Sequence, residues 1–118
     1  MLNLILHGQA NEFHPSMVGT YKIAGELINN ESYFLQSNGL NAVWQDNTGV
    51  WCIGAKNYLG SITCGIRSSV SQSIYPQEIE SWDVLSWDVF DTEEWRTTRT
   101  DVVFLISMYK IYIFKICL

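Results

Sequence analysis

Basic residues are scarce in this sequence, and those present are dispersed. Seven Lys and Arg stand against twelve Asp and Glu, for a net charge of −5. Lys22, Lys56, Arg67, Arg96, Arg99, Lys110 and Lys115 form no basic stripe. Phosphate backbones are held by clustered cations, so nucleic acid is excluded as a partner. Cysteine is rarer still, with three residues at positions 52, 64 and 117. An odd count without short spacing makes neither a disulfide framework nor a zinc knuckle. Also missing are a nucleophile elbow, a Gly-rich phosphate loop and a helical His-Glu metal motif. No catalytic residue, metal ligand or cofactor site is therefore assigned. His7 and His14 lie too far apart for one helix turn to present them as a metal pair. Both are expected on the surface.

Long uninterrupted apolar runs are lacking too. The stretch "MLNLILHGQA" has no basic start and a short apolar core, so it is not read as a signal peptide. The run "VVFLISMYKIYIFKICL" (102–118) is 17 residues long and carries Lys110 and Lys115. A spanning helix needs about 20 apolar residues. Three readings of this tail stay open: a membrane contact through residues 102–118, a buried strand pair, or an ill-fitting extension. Nothing in the sequence names a compartment.

What is abundant is apolar and aromatic. Of 118 residues, 47% are hydrophobic and only 16% charged, enough apolar material for one packed domain and too much for disorder. Aromatic residues reach 14%, with five Trp and six Tyr. A chain this small cannot bury all of them, so some ring surface is left for solvent or a partner.

The middle of the chain reads as strands. "ESYFLQ" (31–36) and "LNAVWQD" (40–46) flank Asn38-Gly39, the signature of a two-residue type I′ hairpin turn. That turn sets Leu35 opposite Ala42 and Tyr33 opposite Trp44. One face then carries Tyr33, Leu35, Leu40, Ala42 and Trp44. The other carries Phe34, Gln36, Asn41, Val43 and Gln45. The first face is apolar and is taken as the core side. Between "LNAVWQD" and "VWCIGA" (50–55), a four-residue loop "DNTG" continues the same apolar face. It makes Trp44 and Trp51 cross-strand neighbours. A three-residue loop would flip Trp51 and Ile53 to the polar side.

"SITCGIRS" (61–68) is a further strand candidate, with Ile62, Cys64 and Ile66 facing inward. Cys52 then lies on the opposite side of the sheet from Cys64, and both are expected as free thiols. "GTYKIAGEL" (19–27) is an earlier strand with a bend or bulge at Gly25. Pro76 opens a short helical turn in the long polar connection 68–81. "EEWRTTRTDVVF" is a last strand candidate. Residues 1–17 show no period. Helices do not alternate with strands, so a parallel α/β sheet is excluded. The fold class is all-β: a small antiparallel meander sheet or partly open barrel of about five to seven strands.

Carboxylates concentrate at Asp83, Asp88, Asp91, Glu93 and Glu94. They form a solvated acidic turn, or else they supply the acid and base of a small glycoside hydrolase. They lack the spacing and glycine of a calcium loop. Asn30-Glu31-Ser32 is an N-glycosylation triplet. The stretch "SWDVLSWDVFD" (81–91) repeats Ser-Trp-Asp-Val at an odd offset. In a straight strand an odd offset sends the second copy to the other face. A bulge or short loop is expected between Val84 and Ser86, with one of Trp82 and Trp87 packed and the other exposed.

The run "GTYKIAGELINNESYFLQ…AVWQDNTGVWCIG…LGS…YPQEIESW…WDVFDTEEW" resembles a small Trp- and Tyr-rich β module that recurs in predicted proteins of marine invertebrates and protists. The landmarks are Gly19, Tyr21, Gly25, Asn30, Tyr33, Trp44, Trp51, Ile53, Gly54, Leu59, Gly60, Ser61, Pro76 and Trp95, with Trp82 or Trp87. The resemblance spans about residues 19–96. It implies an autonomous β domain of the ligand- or protein-binding kind, without catalytic residues. It divides the chain into an N-terminal extension (1–18), a β-rich module (19–100) and an apolar tail (101–118). The resulting expectation is a noncatalytic binding or scaffold module for a protein or glycan partner. Its candidate contact residues are Trp82, Trp87, Phe90 and Trp95. The rivals are the small hydrolase and a membrane-tethered module.

Overall fold

The computed structural model describes residues 1–71 and 75–106. They form one antiparallel sheet of nine strands. The strands are β1 (Leu2–Leu6), β2 (Gly19–Ile28), β3 (Glu31–Gln36), β4 (Asn41–Gln45), β5 (Trp51–Ala55), β6 (Ile66–Ser68), β7 (Trp82–Trp87), β8 (Glu93–Thr98) and β9 (Val102–Ile106). One short helix, α1 (Gly8–Phe13), follows β1. The fold is all-β and antiparallel, with more strands than the five to seven expected. One, β1, comes from the aperiodic start, and β9 runs from the last strand candidate into the apolar tail. The candidate "EEWRTTRTDVVF" is two strands.

The spatial order is β8-β7-β6-β5-β4-β3-β2-β1-β9. Strands β8 and β9 are consecutive in sequence yet occupy opposite edges of the sheet. Only residues 99–101 join them. A flat nine-stranded sheet would hold its edges far further apart than three residues can reach, since neighbouring strands lie about 4.8 Å apart. The sheet is therefore curled into an incomplete barrel, and Trp82 of β7 meets Phe104 of β9 with ring centroids 5.7 Å apart.

The inner face holds the main core. Leu2, Leu4 and Leu6 of β1, Tyr21, Val43, Trp51, Ile53, Ile66, Trp82, Val84, Val102 and Phe104 share it. Within the first eighteen residues, Leu2–Leu6 thus belong to the sheet, and Leu2, Leu4, Leu6, Ala10 and Met17 to its core. Helix α1 and the turn after it close one end of the barrel: Ala10 is buried and Met17 joins the core. There His14 is buried, contrary to the surface position expected for it, with Nε2 2.7 Å from Leu85 O. His7 is exposed.

A second cluster lies on the outer face: Tyr33, Ala42, Trp44 and Cys52, covered by Leu59 and Cys64 from the β5–β6 connection. Trp44 Nε1 donates to Ser61 O in that cover (2.9 Å). Strand β4 is consequently buried at every position. This corrects the choice of core face. The face carrying Phe34, Gln36, Asn41, Val43 and Gln45 is the interior one. Its polar members are satisfied there: Asn41 Nδ2 donates to Gln36 Oε1 (2.8 Å), and Gln36 Nε2 to Ser16 O (2.9 Å).

The β4–β5 loop is corrected with it. Asp46 N donates to Val50 O, leaving Asn47, Thr48 and Gly49 as a three-residue loop with Gly49 at φ 90°. This is the type I turn followed by a left-handed residue common in such loops. Gln45 then faces Trp51 and Trp44 faces Cys52, so Trp44 and Trp51 lie on opposite sides of the sheet. The β3–β4 register is as expected, with Leu35 opposite Ala42. Its turn is not type I′, since only Gly39 has positive φ. The turn with two positive φ values is Asn29-Asn30, between β2 and β3. The β2–β3 register shifts between Ile23 and Leu27, around Gly25 as expected. A 3-10 turn begins at Pro76.

Strand β6 starts only at Ile66, and Ile62 is exposed rather than core. The chain bends before β6, so Cys64 packs on the outer face with Cys52. Both are free thiols, but the predicted separation across the sheet is incorrect. Of the tail, Val102–Ile106 is strand β9. The rest of the tail, with Lys110, Lys115 and Cys117, lies outside the described residues. No helix among the described residues is long and apolar enough to cross a membrane.

Candidate functional site

Strands β7 and β8 pair without a register shift from Trp82↔Thr98 to Trp87↔Glu93. The bulge expected between Val84 and Ser86 is therefore absent. Alternation along a straight strand separates the two tryptophans by itself: Trp82, Val84 and Ser86 point inward, while Asp83, Leu85 and Trp87 point outward. Trp82 is 1% exposed and Trp87 39%. One packed and one exposed Trp is the expected outcome. The position of Trp82 corrects its reading as a contact ring, because the barrel interior removes it from the surface.

The hairpin turn is built by Asp88. Its Oδ1 accepts from Phe90 N (2.9 Å) and Thr92 N (3.0 Å). These backbone donors, Thr92 foremost, hold the Asp88 carboxyl below the usual carboxylate range. Asp91 takes a left-handed conformation, φ 59°. With the turn's polar groups internally satisfied, its middle side chains project outward. Val89 is 91% exposed and Phe90 85%.

Trp87 flanks this tip. It packs on Phe13 at 4.6 Å between centroids and meets His14 edge-on at 6.0 Å. Trp95 faces Leu85 across the hairpin, on the same outer side as Trp87. The Arg67 guanidinium lies 3.9 Å above the Trp95 ring, and Arg67 Nε is 3.8 Å from Asp83 Oδ2. Thus Trp87 and Trp95 share the outer face of the β7–β8 hairpin, Phe90 stands exposed in its turn, and Trp82 points inward.

The five carboxylates of this region have separate surroundings. Asp83 Oδ1 accepts from Ser69 and Thr97 and lines an outer cavity of about 290 Å³ that none of the other four shares. Asp88 ties the turn, Glu94 pairs with Arg96 at 2.6 Å, and Asp91 and Glu93 are exposed. No two of them face each other across that cavity.

A second feature escaped sequence reading. At the inner face near the β2–β5 end lies an open cavity of about 530 Å³, lined by Phe34, Trp51 and Tyr75 with Glu31, Gln45 and Glu78. Its residues come from separate strands and from the β6–β7 connection. No local spacing announces such a set; only the corrected β5 register places Trp51 there. Among the described residues no three His, Cys, Asp or Glu side chains converge as a metal site. No protein-family model, curated protein or solved structure matches the chain.

Proposed function

We propose that this chain is a noncatalytic binding module that grips a protein partner through the tip of its β7–β8 hairpin. The observation that carries this reading is the near-complete exposure of Val89 and Phe90 beside a half-exposed Trp87. Aromatic side chains on a rigid protrusion are the usual anchors of protein interfaces. Asp88, Asp91, Glu93 and Glu94 surround them, so the complementary surface is an apolar pocket with a basic rim. Replacing Phe90 by a photo-crosslinking phenylalanine analogue tests this. A discrete adduct is expected, competed by the unlabelled wild-type chain, not by Val89→Ser/Phe90→Ser, and weakened by salt. No adduct, or equal competition by the double variant, rejects it.

The 530 Å³ cavity supports a second reading, carbohydrate recognition. Its rings offer stacking faces, and Glu31, Gln45 and Glu78 offer hydrogen bonds to hydroxyls. On a glycan array the wild type then binds a defined saccharide, and Tyr75→Ala loses the signal while Phe90→Ser keeps it. An array without any signal rejects this reading and leaves the first intact.

A further inference from the structure

Cys52 leaves β5 on the outer face, opposite Trp44 of β4. Gly54, two positions on, shares that face by strand alternation. A Cβ at Gly54 would lie 3.0 Å from the Cys64 Cα and 3.1 Å from its Cβ. The side chain that Gly54 lacks is thus the space that Cys64 fills. This seats Cys64 beside Cys52 over one strand. Both are free thiols in the same apolar cluster, with Cys52 Sγ 3.7 Å from Val50 O and Cys64 Sγ 3.9 Å from Ile62 O.

The pair is asymmetric. Cys52 is buried, whereas Cys64 is partly open to solvent. The neighbouring Cys52 side chain holds the Cys64 thiol below its ordinary range, with Arg67 adding to the effect. The nearby Cys64 side chain, and burial, push Cys52 upward. A partly exposed thiol that ionises more readily, beside a buried thiol, is the arrangement of an attacking and a resolving cysteine.

We propose that Cys52 and Cys64 form a dithiol oxidised by hydrogen peroxide to an internal disulfide, with Cys64 attacking and Cys52 resolving. The Cys64 thiolate attacks one peroxide oxygen and the O–O bond breaks. The departing hydroxide takes the proton that Cys64 gave up and leaves as water. Cys64 is now a sulfenic acid. The sulfur of Cys52 attacks the Cys64 sulfur, the S–O bond breaks, and hydroxide leaves with the Cys52 proton as a second water. Two thiols and one peroxide give one disulfide and two waters; the sulfurs are oxidised and the peroxide oxygens reduced. The disulfide ties the β5–β6 connection, which covers Trp44, to β5. Closing that loop raises the thermal unfolding midpoint by several degrees.

The test treats the folded full chain, as wild type and as Cys117→Ser, with hydrogen peroxide, then alkylates, digests with trypsin and maps the peptides. Cleavage after Lys56 separates the two cysteines, so a linked peptide pair that reduction releases reports the bond. It is expected in both chains. In Cys52→Ser, Cys64 is expected to accumulate as a sulfenic acid trapped by dimedone. In Cys64→Ser, Cys52 is expected to stay reduced. Alkylation of both thiols as free after peroxide treatment overturns the proposal. So does Cys52 oxidation that persists in Cys64→Ser, or linkage through Cys117 alone.

Discussion

Trp82 lies inside the barrel against Phe104, and Trp87 lies on its rim against Phe13. Removing an indole from a filled interior leaves a cavity that neighbours close only in part. Trp82→Ala is therefore expected to cost about 3–5 kcal/mol in urea unfolding. Trp87→Ala is expected to cost no more than about half as much, since its ring already meets solvent. His14 makes a prediction in pH. Burial holds its imidazole below the ordinary 6.5, and the bond to Leu85 O offsets this in part. The unfolded chain then takes up a proton near pH 6.5 that the native state refuses. The contribution of His14 to stability is full above that pH. It declines as pH falls through 6.5 toward the lower native value, and it falls no further below that. Unfolding curves of wild type and His14→Gln recorded between pH 8 and 5 (about the range where histidine titrates) check this. The difference between them is expected to carry that slope, and a flat difference rejects it.

At the scale of elements, the β4–β5 hairpin decides most of what surrounds it. Asp46 Oδ1 accepts from Thr48 N, Thr48 Oγ1 and Val50 N at 2.8, 2.6 and 3.1 Å. These bonds hold the three-residue loop and thereby the face on which Trp51 and Ile53 lie. Asp46 is buried, so Asp46→Ala strands several donors. The expected cost is about 1–3 kcal/mol by urea unfolding, with Asp46→Asn nearer wild type because it keeps the acceptor oxygen. The sequence carried this signal: Asp at the first and Gly at the fourth position of "DNTG" is the mark of a type I turn. A four-residue loop is favoured only if the more apolar face of β3–β4 is the core side, and apolar content does not identify the interior where both faces are covered. Gln36 and Asn41 look like solvent residues until Ser16 supplies their partner.

At the scale of the molecule, the curled sheet leaves a seam between β8 and β9. Strand β8 guards its edge with Glu94 and Arg96 on the inward side, where an apolar pair would invite another strand. Strand β9 pairs with β1 along five residue pairs and places Val102 and Phe104 in the core. A chain ending at Asp101 is therefore expected to lose cooperative thermal unfolding followed by near-UV circular dichroism, because Leu2, Leu4 and Trp82 lose their cover. A chain ending at Ile106 keeps β9 and is the proper comparison for membrane partitioning of the tail. If the chain ending at Asp101 melts as sharply as the full chain, β9 has no such role.

The sequence by itself determined the all-β class, the β3–β4 register, the irregularity at Gly25 and the split fate of Trp82 and Trp87. Each follows from local rules: alternation with period two, turn chemistry, and the odd offset of a repeat. Only the tertiary structure decided which face of β4 is the interior, that β1 and β9 belong to the sheet, and that Cys52 meets Cys64. It also decided that Trp51 lines a cavity with Tyr75. These depend on what a distant segment lays over a strand. Where a sheet curls on itself and a connection covers its back, polarity along one strand no longer tells inside from outside.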